Sequence, residues 1–273
     1  MRKKYRFSNL IPELILWILS ITTIYPLLMV FLTAFKPRGE AGYLNIILPK
    51  VWRFSNFTEV AKYNFFQSFW NSAYVTLISV FMTLTVSSLL AYVLVRRDTK
   101  GCRLAYRLIT FGIIAPFSAM PTIQLLRVLG LYGSRTGLGF VYAALFTPFT
   151  MMMFSGFIKG IPRELDEAAV IDGIMGFKIF GLVILPLLKP VIATTGVLNF
   201  MWVWNELQIP MYLLNSSSKW TLPLSVFNFY GQYSSNWNLV CADVVMVSLP
   251  VVIVYVFAQK YIISGMTAGA VKG

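Results

Sequence analysis

Long apolar stretches separated by shorter polar ones dominate this chain. They fall at about 10–35, 69–95, 104–126, 138–157, 190–208 and 239–263. A helix of roughly 20 apolar residues crosses a hydrocarbon core of about 30 Å, and a helix satisfies its own backbone hydrogen bonds, as the bilayer demands. The pattern predicts an all-α polytopic membrane protein with six transmembrane helices. Pro12 and Pro26 kink the first span or mark its ends. Pro116 and Pro121 both fall in the third. Two prolines in one span free backbone carbonyls, which lipid tolerates only where neighbouring helices or a water-filled cavity satisfy them.

One polar stretch stands apart. Residues 161–190 hold four of the ten acids, Glu164, Asp166, Glu167 and Asp172, between the fourth and fifth spans. Pro162 suits the first helical position, where its missing N–H costs nothing. The acids of the first turns favour the positive end of the helix dipole, and Gly173 suits the left-handed position that stops a helix. Leu165, Ala168, Ala169 and Asp172 recur at i, i+3, i+4 and i+7, so they share a small, nearly smooth face. Gly176 and an amphipathic piece, 177–188, return the chain to the membrane. Two readings stand: a connector solvated on one side and resting on lipid headgroups, or a helix on which a soluble partner docks.

Charge orients the spans. The chain is 58% hydrophobic and only 12% charged, against about 25% in soluble domains. Its formal charge of +13 would suggest nucleic acid in a soluble protein, but here the basic residues cluster at span ends. Arg2, Lys3, Lys4 and Arg6 precede an apolar run too long for a signal peptide and lacking a small-x-small cleavage site, so the first span is uncleaved, with its N-terminus in the cytoplasm. Arg96, Arg97, Lys100, Arg103 and Arg107 mark the cytoplasmic end of the second span. Both termini are then cytoplasmic, the segments 36–68 and 209–238 lie outside, and fifteen of the 23 Lys and Arg residues fall inside. The acidic helix and the tail, 264–273, are cytoplasmic.

Several chemistries drop out. Without histidine there is no histidine-based acid–base, triad or zinc chemistry, and no Gly-x-x-x-x-Gly-Lys-Ser/Thr loop is present to hydrolyse ATP. Cys102 and Cys241 fall on opposite sides of the membrane, which leaves no disulfide and no metal spacing. No catalytic residue is assigned. The energy for any transport must come from a partner or an ion gradient.

Glu167-Ala168-Ala169, then Gly173, then Leu185-Pro186 resemble the EAA signature of bacterial ABC importer permeases, with Val183 where the signature has isoleucine. Residues 161–165, Trp204-Asn205-Glu206 and the terminal run 265–273 look like the maltose-type (MalG-like) carbohydrate-uptake branch, and the likeness spreads over nearly the whole chain. The resemblance implies one transmembrane permease domain, 1–273, in the bacterial inner membrane, with 161–190 as its EAA coupling loop. It implies a transport subunit rather than an enzyme, forming half of the pathway of an ATP-driven, binding-protein-dependent importer of a sugar or oligosaccharide. Partners would be a homologous second permease, an ABC ATPase dimer carrying ATP-Mg, and an extracytoplasmic solute-binding protein; this chain itself would bind no cofactor. Glu167, Ala168, Ala169, Asp172 and Gly173 match the element that fits a cleft on the ATPase.

Asn199, Trp202, Asn205 and Glu206 lie on roughly one side of the fifth span. Polar groups beside an aromatic suit a sugar, whose hydroxyls need hydrogen bonds and whose C–H face stacks on a ring. Against this, Trp202 and Trp204 also fit an interfacial aromatic belt, and Asn205 and Glu206 fit helix packing or the outer end of the span. Asp243 is a functional hypothesis by default as an intramembrane acid, and an interfacial or paired role is the alternative; Glu13 reads as a cytoplasmic-interface residue. The Asn-x-Ser/Thr sequences at Asn56 and Asn215 are chance matches in a bacterial protein. Alternatives for the whole are a permease for a polyol or glycerol phosphate, an ion-driven secondary transporter, and a purely structural membrane subunit. Ion-driven transporters commonly carry midplane charges and paired repeats, whereas here the acids gather in a loop.

Overall fold

A computed structural model describes residues 10–231 and 236–270, and side chains within 12–259. The basic N-terminal group Arg2, Lys3, Lys4 and Arg6, and the end of the tail, 271–273, lie outside the described residues. Among those described the chain is helical, with no β-strand. The long helices are α1 (Leu10–Ala34), α4 (Phe66–Arg96), α7 (Arg135–Lys159), α11 (Lys189–Asn205) and α13 (Trp237–Ala270). Between them lie α2 (Arg38–Ala41), α3 (Ser55–Val60), α5 (Lys100–Phe111), α6 (Ala119–Val128), α8 (Glu164–Ile171), α9 (Phe177–Ile179), α10 (Leu185–Leu187) and α12 (Gln208–Leu213). Four segments are long and apolar enough to cross a membrane: Pro12–Ala34, Ser55–Arg96, Arg135–Lys159 and Trp237–Gln259. A fifth candidate is the pair Phe177–Leu187 and Lys189–Asn205, which meet at 77°.

The third expected span, 104–126, is not one helix. It is α5 and α6, of 12 and 10 residues, separated by a non-helical link. Pro116 lies in that link, where it supplies no N–H and disfavours helical backbone at Ala115. Pro121 is tolerated because it sits in the first turn of α6, where backbone N–H groups have no partner in the helix.

The described residues divide into two compact units, one combining residues up to Phe66 with Ser225–Leu249 and the other combining Gln67–Leu224 with residues from Pro250 onward. In the first, α1 exposes apolar side chains around most of its length and buries Leu32, Thr33 and Ala34. Its open carbonyl end is closed by Asn56, whose Nδ2 donates to the Ala34 and Lys36 carbonyls at 2.8 and 3.0 Å. Asn238 Nδ2 donates in turn to Asn56 Oδ1 at 3.1 Å. Lys36 is 2% exposed, and its Nζ donates to the carbonyl and side-chain oxygens of Asn45. Asp243 is also buried, and Ser225 Oγ lies 3.1 Å from both its oxygens.

In the second unit α4 buries a row of small polar residues, Ser68, Ser72, Thr76, Ser79, Thr83 and Ser87. Spacings of three and four keep them on one face, and small residues let helices approach closely in lipid. At Gly139 of α7 an added Cβ would collide with Ile78 Cγ2, so α4 and α7 touch there. Asn71 donates to the carbonyls of Ser218 and Trp220 and accepts from Arg135, which fastens the segment after α12 to α4 and α7.

Candidate functional site

The acidic helix is α8. Its first backbone bonds run from Asp166 and Glu167 N–H to the Arg163 carbonyl. Arg163 is the N-cap, so Pro162 precedes the cap and is not the first helical residue. The ring of Pro162 disfavours helical backbone at Ile161, so it sets the chain's entry instead of opening the helix. At the other end Gly173 has φ +80°. Gly173 N–H donates to the Val170 carbonyl at 3.0 Å and Ile174 N–H to the Ala169 carbonyl at 2.9 Å. This is the paired Schellman stop, which requires the left-handed backbone that glycine adopts without strain.

The face expected to be shared by Leu165, Ala168, Ala169 and Asp172 is divided. Ala169 is buried with Ile158, Ile161, Ile179, Phe180 and Ile184, whereas Leu165, Ala168 and Asp172 are exposed. The inward side is set by Asp166 and Ala169, three residues apart. Asp166 Oδ2 forms an ion pair with Arg96 Nε at 2.8 Å, with no hydrogen-bond alignment along the contact. Arg96 Nη1 donates to the Ile161 carbonyl at 3.1 Å, and Tyr92 Oη donates to Asp166 Oδ1 at 3.4 Å. The end of α4 thus holds both the start of α8 and the turn before it. In the sequence alone, Arg96 reads only as a topology signal and Asp166 only as a complement to the helix dipole. Outward, the helix and its exit present Glu167, Ile171 at 86% exposure, Met175, and Phe177 at 75%.

The second group lies at the end of α11. A cleft of about 650 Å³ is lined by Phe146, Phe149, Met201, Trp202, Asn205 and Glu206, among others. The Trp202 ring lies 5.3 Å from that of Phe146 and 5.1 Å from that of Phe149. Asn205 Nδ2 donates to the Met201 carbonyl. Glu206 Oε1 accepts from the N–H groups of Gln208 and Ile209 at 2.8 and 3.2 Å, which caps α12. Asn199 does not line the cleft. It is buried in the seam between α11 and α7, with Nδ2 donating to Thr150 Oγ1 at 3.0 Å and to the Thr195 carbonyl at 2.8 Å. The structure brings Trp202, Asn205 and Glu206 together, and sets Asn199 apart in the helix packing.

Residues 84–267 match the family model described as "Binding-protein-dependent transport system inner membrane component". The matched segment contains α8, the Arg96 contact and the aromatic cleft. The chain belongs to this family. This permease is 36% identical over 258 residues to the "Probable starch degradation products transport system permease protein AmyC" of Thermoanaerobacterium thermosulfurigenes, covering 93% of this chain and 94% of that protein. It is 33% identical to the "Melibiose/raffinose/stachyose import permease protein MelC" of Bacillus subtilis, over the full length of both. A chain in the crystal structure of a bacterial ABC transporter that imports the acidic polysaccharide alginate superposes with a TM-score of 0.82 at 25% identity, covering 95% of this permease and 99% of that chain. A second chain, from an alginate ABC transporter in complex with alginate pentasaccharide-bound periplasmic protein, shares the fold at a TM-score of 0.68 and 13% identity, covering 93% and 92%. The resemblance carried by the EAA loop therefore stands, and the protein is a multi-pass ABC permease of the inner membrane.

Proposed function

We propose that this permease forms half of the translocation pathway of an ATP-driven, binding-protein-dependent importer of a sugar or oligosaccharide. Its residues 1–273 act as one permease domain with six spans and both ends in the cytoplasm. The third span is the broken pair α5 and α6, and the coupling loop 161–190 lies between spans four and five. A homologous permease supplies the other half, an ABC ATPase dimer binds and hydrolyses ATP-Mg, and an extracytoplasmic binding protein delivers the solute.

The observation that carries this reading is α8. It is stopped by Gly173, presents Glu167, Ala168, Asp172 and Ile171 outward, and is fastened inward by Ala169 and by the Asp166–Arg96 pair. A short helix with exposed apolar side chains and a fixed base suits insertion into a cleft on the ATPase. Because Arg96 ends α4, displacement of α8 is delivered to a membrane helix as a push or pull at its tip. The membrane helices then exchange between two packed arrangements, and ATP shifts that balance only by its differential affinity for the two.

In the cleft, the Trp202 face stacks on the C–H face of a sugar ring, while the side chains of Asn205 and Glu206 meet its hydroxyls. Asn199 holds α11 against α7 behind them. The deciding experiment is reconstitution of the permease with its partners in liposomes. Uptake is expected to require ATP inside and the binding protein outside. Uptake by this chain alone on an ion gradient would overturn the proposal.

A further inference from the structure

Away from the cleft, the ends of α4, α5 and α7 border an open basic pocket of about 310 Å³. Four cations line it: Arg103 and Arg107 of α5, Lys159 of α7, and Arg163 at the start of α8. One acid, Asp98, faces them, and its carboxylate is engaged by Arg103 Nη1 at 2.9 Å. Lys159 Nζ stands 5.5 Å from the centre of the Tyr106 ring. Glu164 borders an adjoining depression with Lys159 and Arg163. Among the described residues, Arg107, Lys159 and Arg163 form no ion pair. The pocket thus gathers uncompensated positive charge around a space suited to one phosphate.

The same three helices carry an apolar groove of about 440 Å³, lined by Met82, Val86 and Leu90 of α4, Leu108 and Ile109 of α5, and Pro148 of α7. The two sites are consecutive along α5, where Arg107 lines the pocket and Leu108 the groove. Along α7, Lys159 and Pro148 are about 16 Å apart at 1.5 Å per residue. α5 also exposes Leu104, Leu108 and Phe111 at i, i+4 and i+7, alongside Lys100, Arg103 and Arg107. An apolar stripe beside a basic one suits the cytoplasmic end of a span, where hydrocarbon gives way to headgroups.

We propose that α4, α5 and α7 build a binding site for an anionic phospholipid. Its phosphate is held by Arg103, Arg107, Lys159 and Arg163, and an acyl chain lies in the groove. Basic pockets between membrane helices on the cytoplasmic side recognise phosphate headgroups in this way. A soluble anion would fill the pocket and leave the groove empty, and a neutral lipid would do the reverse. Only the choice of the cytoplasmic leaflet rests on the topology proposed above. A lipid here joins Lys159 of α7 to α5, two residues before the coupling loop begins.

The test uses the complete importer in nanodiscs of phosphatidylcholine with a minor fraction of phosphatidylglycerol, with retained lipid read by native mass spectrometry. Wild type is expected to retain phosphatidylglycerol, and an Arg107→Gln/Lys159→Gln variant to retain about 25-fold less, since each basic group near the surface contributes about a fivefold factor. Ala144→Phe fills the groove from an exposed position and is expected to lower retention without touching a charge. Glycerophosphoglycerol, the headgroup without chains, is expected not to displace the lipid; full displacement by it, or by inorganic phosphate, would assign the pocket to a free phosphate and overturn the proposal. Equal retention in the charge variant would also overturn it. So would a photo-crosslinker at Leu108 that captures a second permease or an ATPase instead of lipid. ATP-driven uptake, measured on the same samples, separates loss of this site from failure of the importer reading.

Discussion

Arg96 is a membrane-end cation whose side chain is 13% exposed, and its partner Asp166 is 19% exposed. Replacing it with Gln leaves Asp166 without its counter-charge and the Ile161 carbonyl without its donor. A hydrogen bond from a charged donor, such as that of Arg96 Nη1 to the Ile161 carbonyl, contributes about 2 kcal/mol. Arg96→Gln is therefore expected to lower hydrogen-exchange protection across α8 and to raise the ATP consumed per solute imported, while the protein still inserts. Unchanged protection would remove Arg96 from the coupling path. Gly173→Ala is a purer backbone test. No heavy atom lies within 4 Å of the added methyl, so the cost is that of φ +80°, about 1 kcal/mol. Thermal unfolding of the assembled importer is expected to show a small loss and coupled uptake a larger one, with Gly173→Asn milder in both. Of these residues only Gly173 was legible from sequence. Its role is written within a few neighbours, whereas Asp166 and Arg96 are 70 positions apart and meet only through the fold.

Among the elements, the apolar runs foretold α1, α4, α7, α11 and α13 to within a few residues at most ends. The third run misled because hydropathy does not register chain direction. Pro116 and the link around it separate α5 from α6 without making the segment less apolar. The buried Ser/Thr row of α4 could have been found by its three-and-four spacing, and Ile78 of the same helix meets Gly139 of α7. Gly139 tests that contact. Gly139→Ala is expected to cost about 1–3 kcal/mol by forcing its methyl against Ile78, measured as a fall in the melting temperature of the detergent-solubilised importer. Ile78→Ala in the same chain is expected to restore most of the loss, because it removes the colliding carbon. Equal melting of the single and double variants would mean the helices part elsewhere.

At the scale of the whole molecule, the two native cysteines report topology without any engineering. Cys102 lies early in α5 and is partly exposed, whereas Cys241 is buried in α13. A membrane-impermeant maleimide is expected to label Cys102 in inverted vesicles and not in intact cells, and to reach Cys241 only after denaturation. Labelling of Cys102 in intact cells would reverse the proposed orientation. What the sequence withheld at this scale is what the chain needs from others: Trp17, Ile171 and Phe177 are large, apolar and mostly exposed. On α1, a candidate span, lipid covers such a residue, but Ile171 adjoins Asp172 and Phe177 adjoins Lys178, charged neighbours that favour a water-facing turn on the proposed topology. The tip that would grip a motor is therefore also a sticky, unshielded flag on any copy made in excess. Cellular proteases and chaperones act on exposed apolar segments of that sort, so if α8 docks on an ATPase as proposed above, the stock of this subunit is expected to follow the supply of that ATPase.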